Sequence, residues 1–308
     1  MRVLLFGSGS PASLIALQVL NRYTTIAGVV VPARRKARFW QPSPAAPLVE
    51  LARREGLSVF PFDANEQQSL VDDLAHAEAH PDLICVATFP SILRQEVLQV
   101  ADRGGINVHW SLLPKHRGPD PLFWTYIHDD RTTGVTLHWL AERADTGPIL
   151  LQREIPLARG RPVIDVYREL AAIGGELFAS AISLISAGRP PRVPQDEQRA
   201  SQESSRASGN WQVDAAHWPA ERVWHVVRGL TIGGGSLLKD ARGVPLTHGP
   251  ARGYFTARYD RPPGTIERAG DGWRVFCADG YVDVDPPPRG RLQSLLARAI
   301  NLLRRRNR

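Results

Sequence analysis

The chain has 308 residues, enough for two domains with separate cores. Hydrophobic residues make up 43% and charged residues 22%, a globular balance, and two distant cysteines build neither a disulfide framework nor a zinc site. The net charge of +7 is matched by seven arginines in the acid-free stretch 289–308, so the body is near neutral and bulk charge gives no argument for a nucleic-acid partner.

Met1-Arg-Val-Leu-Leu-Phe6 is too short for a signal peptide and runs straight into a first strand at 3–6. Further strands are predicted at 27–31, 83–87, 105–109, 134–139 and 149–155. Helical spacing recurs at 13–20, 46–54 and 67–77, with a long closing helix at 162–186. The alternation predicts an α/β fold, a Rossmann-like and mostly parallel sheet covered by helices, with ligands beyond the carboxyl ends of its strands. No run of about 18 apolar residues reads as a membrane span, and a reducing, cytoplasmic setting is expected. From 188 to 209, Pro, Arg, Gln and Ser dominate, which reads as a linker. Helical spacing at 215–230 and short runs at 244–247, 264–267, 273–277 and 281–284 then predict a small, mainly β second domain; Pro245 confines the first run to an edge. Pro286-Pro-Pro288 ends it, and 292–303 reads as an amphipathic, arginine-rich helix. The expected division is 1–188, a linker 189–208, a second domain 209–288 and a basic tail 289–308.

The chemistry concentrates in Gly105-Ile-Asn107-Val-His109-Trp-Ser111-Leu112-Leu113-Pro114-Lys-His-Arg117-Gly118, followed by Asp145-Thr-Gly147. On a strand, Asn107 and His109 share one face while Ile106 and Val108 take the other. A polar pair on a buried strand is costly unless hydrogen bonding or function requires it. Acyl transfer to an amine needs the carbonyl polarised, the oxyanion stabilised and a proton taken from the attacking nitrogen. Asparagine supplies a neutral N–H donor, histidine a donor or proton relay, and a carboxylate orients the imidazole. Singly, each residue reads as an ordinary loop or turn residue; the combined spacing argues otherwise.

The run Asn107-x-His109-x-Ser111-Leu112-Leu113-Pro114, then Arg117-Gly118, Gly134-Val-Thr136 and Asp145-x-Gly147, resembles the signature of the folate-dependent formyltransferases. That family takes in methionyl-tRNA formyltransferase, glycinamide ribonucleotide transformylase and sugar or hydroxyornithine N-formyltransferases. The resemblance implies that Asn107, His109 and Asp145 carry catalysis with no metal. It implies 10-formyltetrahydrofolate as donor, held by the Ser111-Leu112-Leu113-Pro114 turn. Val86, Ala87 and Phe89, with the loop before Asp145, would line the pteridine pocket largely through backbone groups. Gln41-Pro-Ser-Pro44 and the region 211–284 are similar to the methionyl-tRNA branch, which implies an OB-like barrel for the second domain.

Departures from that branch bear on the acceptor. Pro119-Asp-Pro-Leu-Phe-Trp124 and Asp145-Thr-Gly-Pro-Ile149 are more similar to members that formylate small amines, and Ala87-Thr-Phe-Pro90 lacks the usual Tyr-Gly pair. The main expectation is therefore a small biosynthetic amine, such as an amino sugar or hydroxyornithine. The alternative is initiator methionyl-tRNA, contacted by Arg34, Arg35, Lys36, Arg38 and the second domain. A third reading is a catalytically degenerate binding module. Gly7-Ser-Gly9-Ser10 is a weak phosphate-loop match interrupted by Pro11. His76 and His80 lack a third zinc ligand in the sequence.

Overall fold

Strands rich in Val, Ile and Leu and helices with one apolar face make up the architecture, which a computed structural model describes over residues 1–33, 43–209, 211–231, 235–239 and 243–287. The chain divides into two compact units. The first comprises Met1–Leu122, Thr132–Pro156 and Tyr167–Ser205, and the second Phe123–Arg131, Leu157–Val166 and Arg206–Arg308.

The first unit begins β1 (Arg2–Gly7), α1 (Pro11–Tyr23), β2 (Thr25–Pro32), α2 (Ala46–Arg54), β3 (Val59–Phe62), α3 (Gln67–His76) and β4 (Leu83–Ala87). It continues with α4 (Gln95–Leu98), β5 (Gly105–His109), β6 (Thr132–Trp139), β7 (Ile149–Pro156) and most of α6 (Val163–Ser186), while α5 (Pro121–Ile127) falls mainly in the second unit. Seven strands form one sheet in the order β3-β2-β1-β4-β5-β6-β7. β1 to β5 run parallel, and β6 and β7 return antiparallel. This is the expected Rossmann-like α/β arrangement. The central strands are buried on both faces, β4 at every residue, as parallel strands under helices must be. Leu4, Phe6, Val30, Phe60, Ile84 and Val86 pack together as core. At α1, Ser10 caps the first turn by accepting the Ser13 N–H, Pro11 sits where a missing N–H costs nothing, and Thr24 turns the chain back to extended.

Two differences from expectation have local causes. β3 carries Pro61, tolerated because β3 is the sheet edge. By length and composition α6 could cross a membrane, with a mean hydropathy of 1.4, but 56% of that stretch is buried inside the protein, including Leu170, Phe178 and Ile182.

In the second unit α7 (Ala220–Leu230) packs on β10 (Ala251–Thr256), β13 (Gly280–Val284), β12 (Gly272–Phe276) and β11 (Ile266–Ala269), an antiparallel sheet in that order. β8 (Gly235–Lys239) and β9 (Pro245–His248) pair separately, which places Pro245 in a two-stranded ribbon. Val223, Val227, Leu238, Val275, Val282 and Val284 form its core. Tyr126 stacks on His225 at 4.8 Å and donates its hydroxyl to the Arg161 carbonyl, while Gly160 N–H donates to His225 Nδ1. The unit is mainly β as expected; among the described residues its two sheets are hydrogen-bonded separately and form no single closed barrel.

The segment expected as a linker is bonded to the first unit for most of its length. Val193 bridges Ile149, and Gln202 bridges Arg117. Its partners include the Trp139 ring under Arg192, the Ile149 backbone and Arg117, contacts that a polar composition does not announce. The basic loop with Arg34, Arg35, Lys36 and Arg38, together with Gln41, Pro42 and the tail 289–308, lies outside the described residues.

Candidate active site

β5 delivers Asn107 and His109 to one face near its carboxyl end, and β6 runs antiparallel beside it with His138 opposite Asn107. The His138 Nδ1–H meets the Trp139 carbonyl at 2.9 Å, which leaves Nε2 to accept from Asn107 Nδ2 at 3.1 Å. His109 is 5% exposed, and its Nε2–H faces the His116 carbonyl at 2.9 Å. Its Nδ1 lies 3.5 Å from Asp145 Oδ1, and His138 Nε2 lies 3.5 Å from the same oxygen. Asp145 Oδ2 accepts the Gly118 N–H at 2.9 Å. Thus the three residues singled out in the sequence meet, and a fourth, His138, joins them. Its position in an apolar strand concealed it; the available signal was that it stands directly across from Asn107.

Burial raises the Asp145 carboxyl, yet the His138 ring, the His109 charge and the Gly118 N–H overcome it and hold its pKa down at about 2. Burial dominates at His109 and lowers its pKa; Asp145 and the hydrogen bond to the His116 carbonyl oppose that, and the charges of His138 and His116 reinforce it. The resting pair is therefore an ionised carboxylate beside a neutral imidazole, each hydrogen-bonded to backbone.

The supporting loops are tightly made. Thr136 Oγ1 donates to the Ser111 carbonyl at 2.7 Å and accepts from Leu113 N–H at 3.1 Å and Gln152 Nε2 at 2.7 Å. Ser111 Oγ donates to the Lys115 carbonyl at 2.6 Å. This shapes the Ser111, Leu112, Leu113 and Pro114 turn beyond β5. Asp145 sits at φ 57°, a left-handed conformation uncommon outside glycine. Gly147 admits no side chain, because a Cβ there would stand 1.8 Å from the Trp139 carbonyl oxygen.

The expected pocket residues separate into two groups. Val86 and Ala87 are buried core on β4, and Phe89 packs edge-on against Phe6 and Phe62. The Ala87 carbonyl already accepts Ser13 Oγ. None of the three lines the cavity of about 450 Å³ in this unit, whose walls include Leu98, Gly104, Gly105, Leu140, Ala141 and Glu142. Leu140, Ala141 and Glu142, in the loop before Asp145, are among the residues that line it.

Residues 1–182 match the family described as formyl transferase. Methionyl-tRNA formyltransferase of Roseiflexus castenholzii is 32% identical over 284 residues, covering 92% of this chain and 89% of that protein. The methionyl-tRNA formyltransferase of Anaeromyxobacter dehalogenans is 32% identical over 279 residues, with 88% and 87% covered. Among solved structures, glycinamide ribonucleotide transformylase 1 of Symbiobacterium toebii superposes with a TM-score of 0.52 at 26% identity, covering 63% of this chain and 94% of its own. WlaRD, a sugar 3N-formyl transferase, superposes with a TM-score of 0.64 at 17% identity, covering 92% and 97%, a likeness of fold. With a family match over more than half of the chain, and an amide, two imidazoles and a carboxylate gathered within it, this protein belongs to the formyl transferase family of enzymes.

Proposed function

We propose that this enzyme moves a formyl group from 10-formyltetrahydrofolate to the amine of a methionyl-tRNA. The observation that carries the acceptor is the similarity to methionyl-tRNA formyltransferases over nine-tenths of the chain, second unit included. It outweighs the short Pro119–Trp124 departure that favoured a small amine, because the sugar N-formyl transferase that also spans nine-tenths of the chain does so at only 17% identity, a likeness of fold alone. The cavity beside Leu98, Leu140 and Glu142, with walls partly apolar and partly polar, is the proposed place for the flat, amide-edged pterin ring.

In this reading Asn107 and His109 Nε2–H donate to the oxygen of the formyl group as the amine attacks its carbon. Negative charge on that oxygen makes protonation of His109 more favourable, so the imidazole can take up the proton released by the nitrogen. The proton sits on the imidazole beside Asp145, which is already ionised, and passes to N10 of the folate as the oxyanion collapses and the carbon–N10 bond breaks, releasing tetrahydrofolate. His109 Nε2 must exchange the His116 carbonyl for the substrate oxygen, a change of partner within one ring. The reaction needs no metal and belongs in the cytoplasm, where charged tRNA is used.

The test is formyl transfer from 10-formyltetrahydrofolate to charged initiator tRNA, run beside a panel of amino sugars and hydroxyornithine. Transfer to the tRNA with kcat/KM falling steeply as salt rises is the expected result. Equal or faster transfer to a small amine overturns the acceptor, and release of the formyl group to no amine overturns the reaction.

A further inference from the structure

We infer that Gln195, on the segment following α6, is a positioning residue for formyl transfer, acting through Asp145. The inference rests on the reaction proposed above. All four hydrogen-bonding positions of its amide are used. Nε2 donates to the carbonyls of Asp145 at 2.8 Å and Gly147 at 2.7 Å. Oε1 accepts from Arg117 Nε at 3.0 Å and Nη2 at 2.8 Å. Glu197 takes the remaining edge of the same guanidinium at 2.9 and 2.7 Å. One side chain thereby spans two loops: the one carrying Asp145 and the one carrying Arg117 and Gly118, whose N–H holds the Asp145 carboxylate.

The geometry explains why such a tie is needed. Asp145 adopts a left-handed φ that a non-glycine residue holds only when its surroundings fix it. Gln195 brackets that residue by its own carbonyl and by that of Gly147. Gln195 touches none of Asn107, His109 or the Asp145 carboxylate by any hydrogen bond described, so its effect reaches the chemistry only through loop position.

Gln195→Met keeps the chain length and removes all four bonds. Relative to the wild type it lowers kcat about 10- to 100-fold, the scale on which a small misplacement of a reacting group acts, with the donor KM within threefold. In NMR titration of the free enzyme the His109 midpoint moves down. The Asp145 carboxylate is the largest influence opposing the lowering by burial at that ring. Gln195→Asn, one methylene shorter, retains an amide that cannot span both loops, and shifts both readouts in the same direction by less. In an Asp145→Asn background Gln195→Met adds no further loss of kcat. Unchanged kcat with an unchanged His109 midpoint in both variants overturns the inference, as does a loss that multiplies in the double variant. If the wild type transfers formyl to no amine, the proposed reaction has failed, and the His109 midpoint alone still decides the role of Gln195.

Discussion

Asn107 and His138 face one another across β5 and β6, and each fixes the other's orientation. The Asn107 amide is the neutral donor of the site, and its N–H vector is set by the His138 Nε2 lone pair. Asn107→Ala removes one oxyanion donor of the proposed reaction and leaves the ring of His138 without that bond. A fall in kcat of about 10²- to 10³-fold is expected, with little change in donor KM, read by single-turnover formyl transfer. Asn107, His109 and Asp145 were legible in the sequence because polar types at strand period 2 and an Asp-x-Gly turn stand out against apolar neighbours. His138 was not, since a histidine inside Val-Thr-Leu-His-Trp reads as strand interior until pairing shows what it faces. Gln195 was hidden for another reason: a glutamine among Pro, Arg and Ser has no period to betray it.

At the level of elements, β6 is as much a scaffold for the turn after β5 as a strand of the sheet. Thr136 is fully buried and its hydroxyl satisfies a carbonyl, a backbone N–H and a side-chain amide together. Thr136→Val preserves volume but strands those groups, each costing about 1–3 kcal/mol when buried and unpaired. The thermal midpoint of the first unit is expected to fall by about 4–10 °C, read by calorimetry, while Thr136→Ser stays close to wild type. The parallel sheet was readable from long apolar runs and intervening helical spacing. β3, α4 and α5 were not, because they are four to seven residues long and two of them carry proline. The separation of the second unit's strands into two sheets depends on pairing partners that no local pattern encodes.

Across the whole molecule, buried histidines set the response to acid. His109 in the first unit and His225 and His248 in the second are all pushed below the ordinary value of 6.5, burial being the leading cause in each, His225 to about 4. The unfolded chain takes up protons that the folded chain refuses, so this stability is complete above pH 6.5 and declines as pH falls toward 4. Each histidine contributes at most about 1.4 kcal/mol per pH unit in that window. Asp145 acts in the same sense lower down, as pH approaches 2. Urea midpoints of both units are expected to be lower at pH 5 than at pH 7.5; an unchanged midpoint would show that these rings gain protons without loss of structure. The bonding of residues 193–203 to the first unit also bears on how the protein is made. A ribosome releases Asn107, His109 and Asp145 well before Gln195 and Glu197, so a nascent chain that has reached the end of α6 holds all three of these residues but not the tie between their loops. The two loops are tied together last, by chain that looks like spacer.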